Sequence, residues 1–120
     1  MKKILVVDDN EEILEVIELI LSLEGYQVSG LMDASYFNQR ISEFKPDLIL
    51  LDVMLGALDG RDLCNLLKAN LLTLHIPVIM ISASHNLSDI QGIICHPNDF
   101  IAKPFDISNL INKVSAQLAA

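Results

Sequence analysis

Five polar residues stand at the ends of short apolar runs. Asp8 and Asp9 close ILVV, Asp52 closes LILL, Ser82 closes VIMI, and Lys103 follows FIA. If these runs are strands of one parallel sheet, their carboxyl ends share an edge, which is where open α/β sheets bind ligands. Carboxylates about 5 Å apart repel by roughly 3 kcal/mol at an effective dielectric near 20, so three of them on one edge call for a counter-charge. A hard divalent cation relieves that repulsion, and Mg²⁺ takes one or two carboxylates, a backbone carbonyl and several waters. Asp9 and Asp52 can supply the acids. Lys103 adds a fixed positive charge and Ser82 a hydroxyl donor that can turn toward an oxyanion. Cation, ammonium and hydroxyl all converge on anionic oxygens. Phosphoryl chemistry is mostly positioning and charge neutralisation, so the set suits phosphoryl transfer onto a carboxylate.

The elements that must position these residues are legible in the pattern. Apolar runs at Ile4 to Val7, Leu48 to Leu51 and Val78 to Ile81 read as strands covered on both faces, with weaker strands at Tyr26 to Leu31 and Phe100 to Ala102. Helical periodicity lies between them. Ile13, Val16, Ile17, Ile20 and Leu21 share one face of a first helix, Glu11, Glu15, Glu18 and Ser22 another, and Gly25 serves as its C-cap. Weaker helices cover Tyr36 to Phe44 and Arg61 to Ala69. A last one, opened by Asp106, carries Ile107, Leu110, Ile111, Val114 and Leu118. The segment between the fourth and fifth strands is the poorest helix, since Gly92 interrupts it and Pro97 follows. Strands alternating with helices predict an α/β fold with a doubly wound five-stranded parallel sheet.

The whole chain narrows the function classes. Its 120 residues make one domain, 1–120, 52% apolar and able to bury a core unaided. Cys64 and Cys95 lack metal-ligand spacing and read as reduced, packed thiols. His75, His85 and His96 likewise lack ligand spacing and read as surface or loop residues. The net charge of −8 opposes attraction to a phosphate backbone, so no direct nucleic-acid binding is expected. No apolar run reaches the roughly 20 residues of a membrane span, so we expect no membrane partner and a cytoplasmic protein.

Taken singly, these residues have plain structural readings: Asp8, Asp9 or Asn10 as a helix cap, Asp52 as a turn residue, Ser82 as a satisfied core hydroxyl, Asp59-Gly60 as a turn and cap. Their convergence on one edge favours a site. The chain closely resembles the receiver domain of bacterial two-component response regulators, through VVDDN at the first strand, LLDVMLGALDG at the third, MISA at the fourth and DFIAKPF at the fifth. The resemblance implies the flavodoxin-like (βα)₅ fold of strand order 2-1-3-4-5. It makes Asp52 the phospho-acceptor, and gives Mg²⁺ or Mn²⁺ to Asp9, Asp52 and the backbone carbonyl of Met54, with Asp8 assisting through water. Ser82 and Lys103 would bind the phosphoryl oxygens. Phe100 matches a switch aromatic that swings inward when the hydroxyl residue moves, and Lys103-Pro104 matches a bond usually cis. The implied protein is a signalling phospho-acceptor that catalyses only its own phosphorylation and dephosphorylation. Its phosphate would come from a sensor histidine kinase or a histidine phosphotransfer protein. Phosphorylation would switch the face made by the fourth helix, fifth strand and last helix, for a downstream partner protein, an output domain or a phosphorylation-dependent dimer.

The sequence departs from the family pattern at three places. Gly56 stands where proline is common, suggesting a looser loop below the site. His96-Pro97 replaces a usual Gly-Ala, and the interval from Ser82 to Lys103 is one residue shorter than usual. Two other classes are disfavoured. A haloacid-dehalogenase-type phosphatase needs an acid two positions after its nucleophile, where this chain has Met54, and the DDNEE segment would repel the phosphate of a flavin mononucleotide.

Overall fold

The strand Lys3–Val7 (β1) is flanked on both sides by parallel neighbours, which is why ILVV carries no polar residue. The computed structural model describes residues 1–56, 58–82 and 96–119. Around β1 stand Gln27–Leu31 (β2), Leu48–Asp52 (β3), Val78–Ser82 (β4) and Asp99–Ala102 (β5), in the order β2-β1-β3-β4-β5. Every pairing is parallel, so the strands' carboxyl ends lie on one edge. The doubly wound, flavodoxin-like arrangement expected from the sequence is the one observed.

Two apolar layers cover the sheet. Helices Glu11–Leu23 (α1) and Ile107–Leu118 (α4) share one, in which Ile17, Leu21, Leu110 and Val114 pack on Ile4, Leu50 and Ile81. Helices Phe37–Phe44 (α2), entered through a 3₁₀ turn Ala34–Tyr36, and Gly60–Ala69 (α3) share the other, where Phe37, Ile41, Cys64 and Leu67 pack on Val7, Ile49 and Met80. Alternate strand residues feed alternate layers, as the two-residue period requires.

The first helix is rotated from the expected face. Its buried stripe is Leu14, Ile17 and Leu21, while Val16 is exposed and Ile13 and Ile20 are half-buried. The periodicity was ambiguous because apolar residues occupy more than half the circumference of this helix, and packing selects the stripe that meets Ile4 and Val6. Asn10 caps it, accepting a hydrogen bond from the Ile13 amide at 3.1 Å, and Gly25 follows its end at φ +93°. Asp106 caps α4 as expected, accepting from Ser108 and Asn109. Phe37 is core, whereas Met32 is exposed. His75 and His96 are exposed. His85, Ser84, Cys95, Gly92 and the fourth helix expected around them lie outside the described residues. No described helix is long and apolar enough to cross a membrane.

Candidate functional site

Asp8 is fixed by backbone before its side chain does anything. Its amide donates to the Leu31 carbonyl at 3.2 Å, extending the β1–β2 ladder by one residue, and its Oδ1 accepts the Asn10 amide at 2.9 Å. With Asn10 taking the cap of α1, Asp8 is left at 0% exposure to face the sheet edge, and Asp9 projects into solvent. Asp52 ends β3 beside Ile81, and the next amide, Val53, donates to the Ile81 carbonyl at 3.0 Å. Ser82, also buried, ends β4, and its carbonyl accepts the Lys103 amide at 2.8 Å. The same ladder that makes the sheet therefore delivers each residue to one edge.

The Lys103 ammonium bridges two acids there, donating to Asp8 Oδ2 at 3.0 Å and to Asp52 Oδ2 at 3.1 Å. The other Asp52 oxygen accepts the Met54 amide at 3.3 Å, so both carboxylate oxygens are held. Burial raises the Asp52 pKa, the Asp8 charge raises it further, and hydrogen bonding and charge from Lys103 only partly offset this. Burial by itself would lower the Lys103 pKa, but hydrogen bonds to Asp8 and Asp52 outweigh it and hold the ammonium charged above its usual range. One cation thus faces three carboxylates, and Asp52 remains under-compensated.

Carboxylate oxygens of Asp8, Asp9 and Asp52 all lie within 4.8 Å of one another, two of these residues buried and one exposed. An all-oxygen donor set with one open side fits a hard cation that keeps its waters, as Mg²⁺ does. The Asp52 environment needs positive charge for the same reason. The donor set and its electrostatics therefore both fit the metal expected from the sequence.

The loop after Asp52 is built differently from a loose turn. Met54–Leu55 pairs antiparallel with Leu58–Asp59, with Gly56 at φ +65° between them. A proline, locked near φ −65°, could not take this conformation. The turn is tied down by a short ribbon, and a Cβ built on Gly56 would lie 3.9 Å from Asp9 Oδ2, so this backbone borders the acidic cluster.

Gly60 is the residue that sequence reasoning undervalued. Asp59 does cap α3, accepting the Arg61 amide at 2.9 Å, and the Arg61 guanidinium returns to the same carboxylate. That hydrogen bonding lowers the Asp59 pKa. But Gly60 also approaches the acceptor strand so closely that a Cβ would lie 2.0 Å from the Asp52 carbonyl oxygen and 3.1 Å from Val53 Cα. The available signal was glycine in the first turn of a helix, where nearly any other residue has higher propensity.

Lys103–Pro104 is cis, as the resemblance implied. Phe100 is half-buried and packed against the α2/α3 layer. At the other end of β4, Asn98 Oδ1 accepts from the Val78 amide and from Lys68 Nζ, both at 2.9 Å, and this latch takes the chain from His96-Pro97 into β5.

Comparison with known proteins agrees with this geometry. The response regulator receiver domain model matches residues 4–115. The DNA-binding dual master transcriptional regulator RpaA of Synechocystis is 34% identical over 119 residues, which are 98% of this chain and 49% of RpaA. The response regulator PleD of Caulobacter vibrioides is 41% identical over 113 residues, 93% of this chain and 25% of PleD. The chain thus spans about half the length of RpaA and a quarter of PleD. Among solved structures, the receiver domain of a signal transduction histidine kinase from Syntrophus aciditrophicus superimposes with TM-score 0.90 at 31% identity, covering 98% of this chain and 90% of that one. A CheY-like receiver from Methanospirillum hungatei gives 0.85 at 29%, covering 98% and 94%. The chain belongs to the response regulator receiver domain family.

Proposed function

We propose that this domain is the phospho-accepting receiver of a two-component phosphorelay and that Asp52 is the acceptor. The observation that carries the reading is the Lys103 ammonium bridging Asp8 and Asp52 inside a three-carboxylate cluster. A carboxylate oxygen of Asp52 attacks the phosphorus of a phosphohistidine on a sensor histidine kinase or histidine phosphotransfer protein. The O–P bond forms as the N–P bond breaks, and an aspartyl phosphate results. Lys103 and Ser82 hold the phosphoryl oxygens. Asp9, Asp52 and the Met54 carbonyl, with Asp8 through water, would hold Mg²⁺ or Mn²⁺. When bound, the ion neutralises charge on the transferring group.

Partner signalling follows from the same site. Ser82 ends β4 and Lys103 directly follows β5, the two strands either side of residues 83–95, so drawing both onto a phosphoryl group biases that segment, β5 and the facing side of α4. Phe100 is the switch aromatic. The domain acts in the cytoplasm, and its switched face engages a downstream protein, an output domain or a second receiver.

The test is intact-mass measurement after incubation with acetyl phosphate. Wild type should gain one phosphoryl group only when Mg²⁺ or Mn²⁺ is present, and Asp52→Asn should gain none. Equal gain in both proteins would place the acceptor elsewhere.

A further inference from the structure

β2 is an edge strand of the sheet, so part of its backbone faces away from β1. The Gln27 amide donates to the Lys2 carbonyl at 2.9 Å and the Leu31 carbonyl accepts the Asp8 amide at 3.2 Å, so both residues face β1. By the two-residue period Ser29 faces β1 too, and Val28 and Gly30 face outward. Their N–H and C=O groups are those that a further strand would pair with.

Edge strands are ordinarily blunted by a charge, a proline or a bulge. β2 has the sequence QVSGL, with no charge and no proline, and its register with β1 runs unbroken over all five residues. Its closure comes from α2. One nitrogen of the Arg40 guanidinium donates to the Gly30 carbonyl at 3.0 Å and to Ser29 Oγ at 2.7 Å. A paired strand would lie about 4.8 Å from β2, so a nitrogen 3.0 Å from the outward carbonyl stands in its path. On the α1 side, Glu18 covers Gly30, where a Cβ would lie 1.8 Å from Glu18 Oε1. Residues 4–39 contain no Lys or Arg, so neither α1 nor β2 itself could supply the cation.

The opposite edge is closed in the same manner. On β5 the Phe100 amide donates to Asp99 Oδ1 at 2.8 Å, and the Phe100 carbonyl accepts from the Lys113 ammonium of α4. Lys113 also pairs with Asp99 at 3.0 Å. Each edge thus receives a cation from a flanking helix.

We propose that Arg40 closes β2 to strand addition and so keeps copies of this chain from joining edge to edge through β2. Pairing between two β2 strands needs the Gly30 carbonyl, which is freed only by breaking a charge-assisted hydrogen bond and moving the guanidinium aside.

Sedimentation velocity and residue-resolved amide exchange of the 120-residue chain, over a concentration series without phosphodonor, test this. Wild type and Arg40→Lys, which keeps a cation beside the edge, should show no concentration-dependent protection at Val28 or Gly30. Arg40→Met keeps the stem and loses the donors. It should associate about tenfold more strongly or better, as release of one hydrogen-bonded carbonyl implies, and its Val28 and Gly30 amides should become protected as it does. The Ser29 amide, which faces β1, should change little. Arg40→Ala repeats the loss with less bulk and should behave as Arg40→Met does. Association protected elsewhere, or no association by variants with wild-type circular dichroism, would overturn the proposal. So would protection of Val28 and Gly30 in concentrated wild type, or association of Arg40→Lys as strong as that of Arg40→Met. Failure of both Arg40→Met and Arg40→Ala to fold would overturn it too, by making Arg40 a residue of stability.

Discussion

Gly60 and Asp52 are in backbone contact: a methyl group on Gly60 would lie 2.0 Å from the Asp52 carbonyl oxygen. Relief requires moving either the start of α3 or the end of β3, and the latter carries the acceptor. We predict that Gly60→Ala destabilises the domain by about 3 kcal/mol or more, and that the folded fraction accepts phosphate from acetyl phosphate more slowly. Urea titration gives the first quantity and intact mass at low temperature the second. Wild-type stability in the variant would show that the approach is looser than described.

The raised Asp52 pKa has a pH consequence for the metal-free protein. Burial, then the Asp8 charge, puts the folded value above the ordinary 3.8, so this group favours the folded state fully only below that value. Its contribution is lost as pH rises through the folded pKa, and at neutral pH the ionised carboxylate weakens the fold. Asp52→Asn keeps an oxygen for Lys103 and removes the charge. Without metal at pH 7, it should melt a few degrees above wild type, and the gap should close toward pH 4. Excess Mg²⁺ should raise wild type more than the variant, since binding to the folded state alone stabilises it. Thermal melts by circular dichroism check all three statements.

Met54 stands two residues after the acceptor, with its side chain exposed and its amide on Asp52 Oδ1. A thioether cannot orient an attacking water, whereas an amide can. Met54→Asn should therefore shorten the aspartyl phosphate lifetime, on the order of tenfold. A decay time course after removal of acetyl phosphate measures it, and slower decay in the variant would contradict the reasoning.

What could be read from the sequence follows from physics that is local. Strands buried on both faces show as unbroken apolar runs, so β1, β3 and β4 were legible to within a residue, and their closing polar residues pointed to the edge where Asp8, Asp52 and Lys103 meet. Which stripe of α1 is buried was not legible. Val16 and Leu14 are equally apolar, and only the packed sheet decides which one is buried. The ribbon after Asp52 was missed because two-residue strands carry no period. Gly60 was read as a cap because its close approach is to a residue eight positions earlier, a contact no local pattern contains.

The central claim is that Asp52, and not its acidic neighbours, forms the acyl phosphate. Borohydride reduces an aspartyl phosphate to homoserine and leaves free carboxylates untouched, so the phosphorylated protein can be reduced, digested and sequenced by mass spectrometry. The account predicts homoserine at position 52 alone, dependent on Mg²⁺ or Mn²⁺ during phosphorylation. Homoserine at position 8 or 9, or at 52 with equal yield after metal has been chelated, would contradict it.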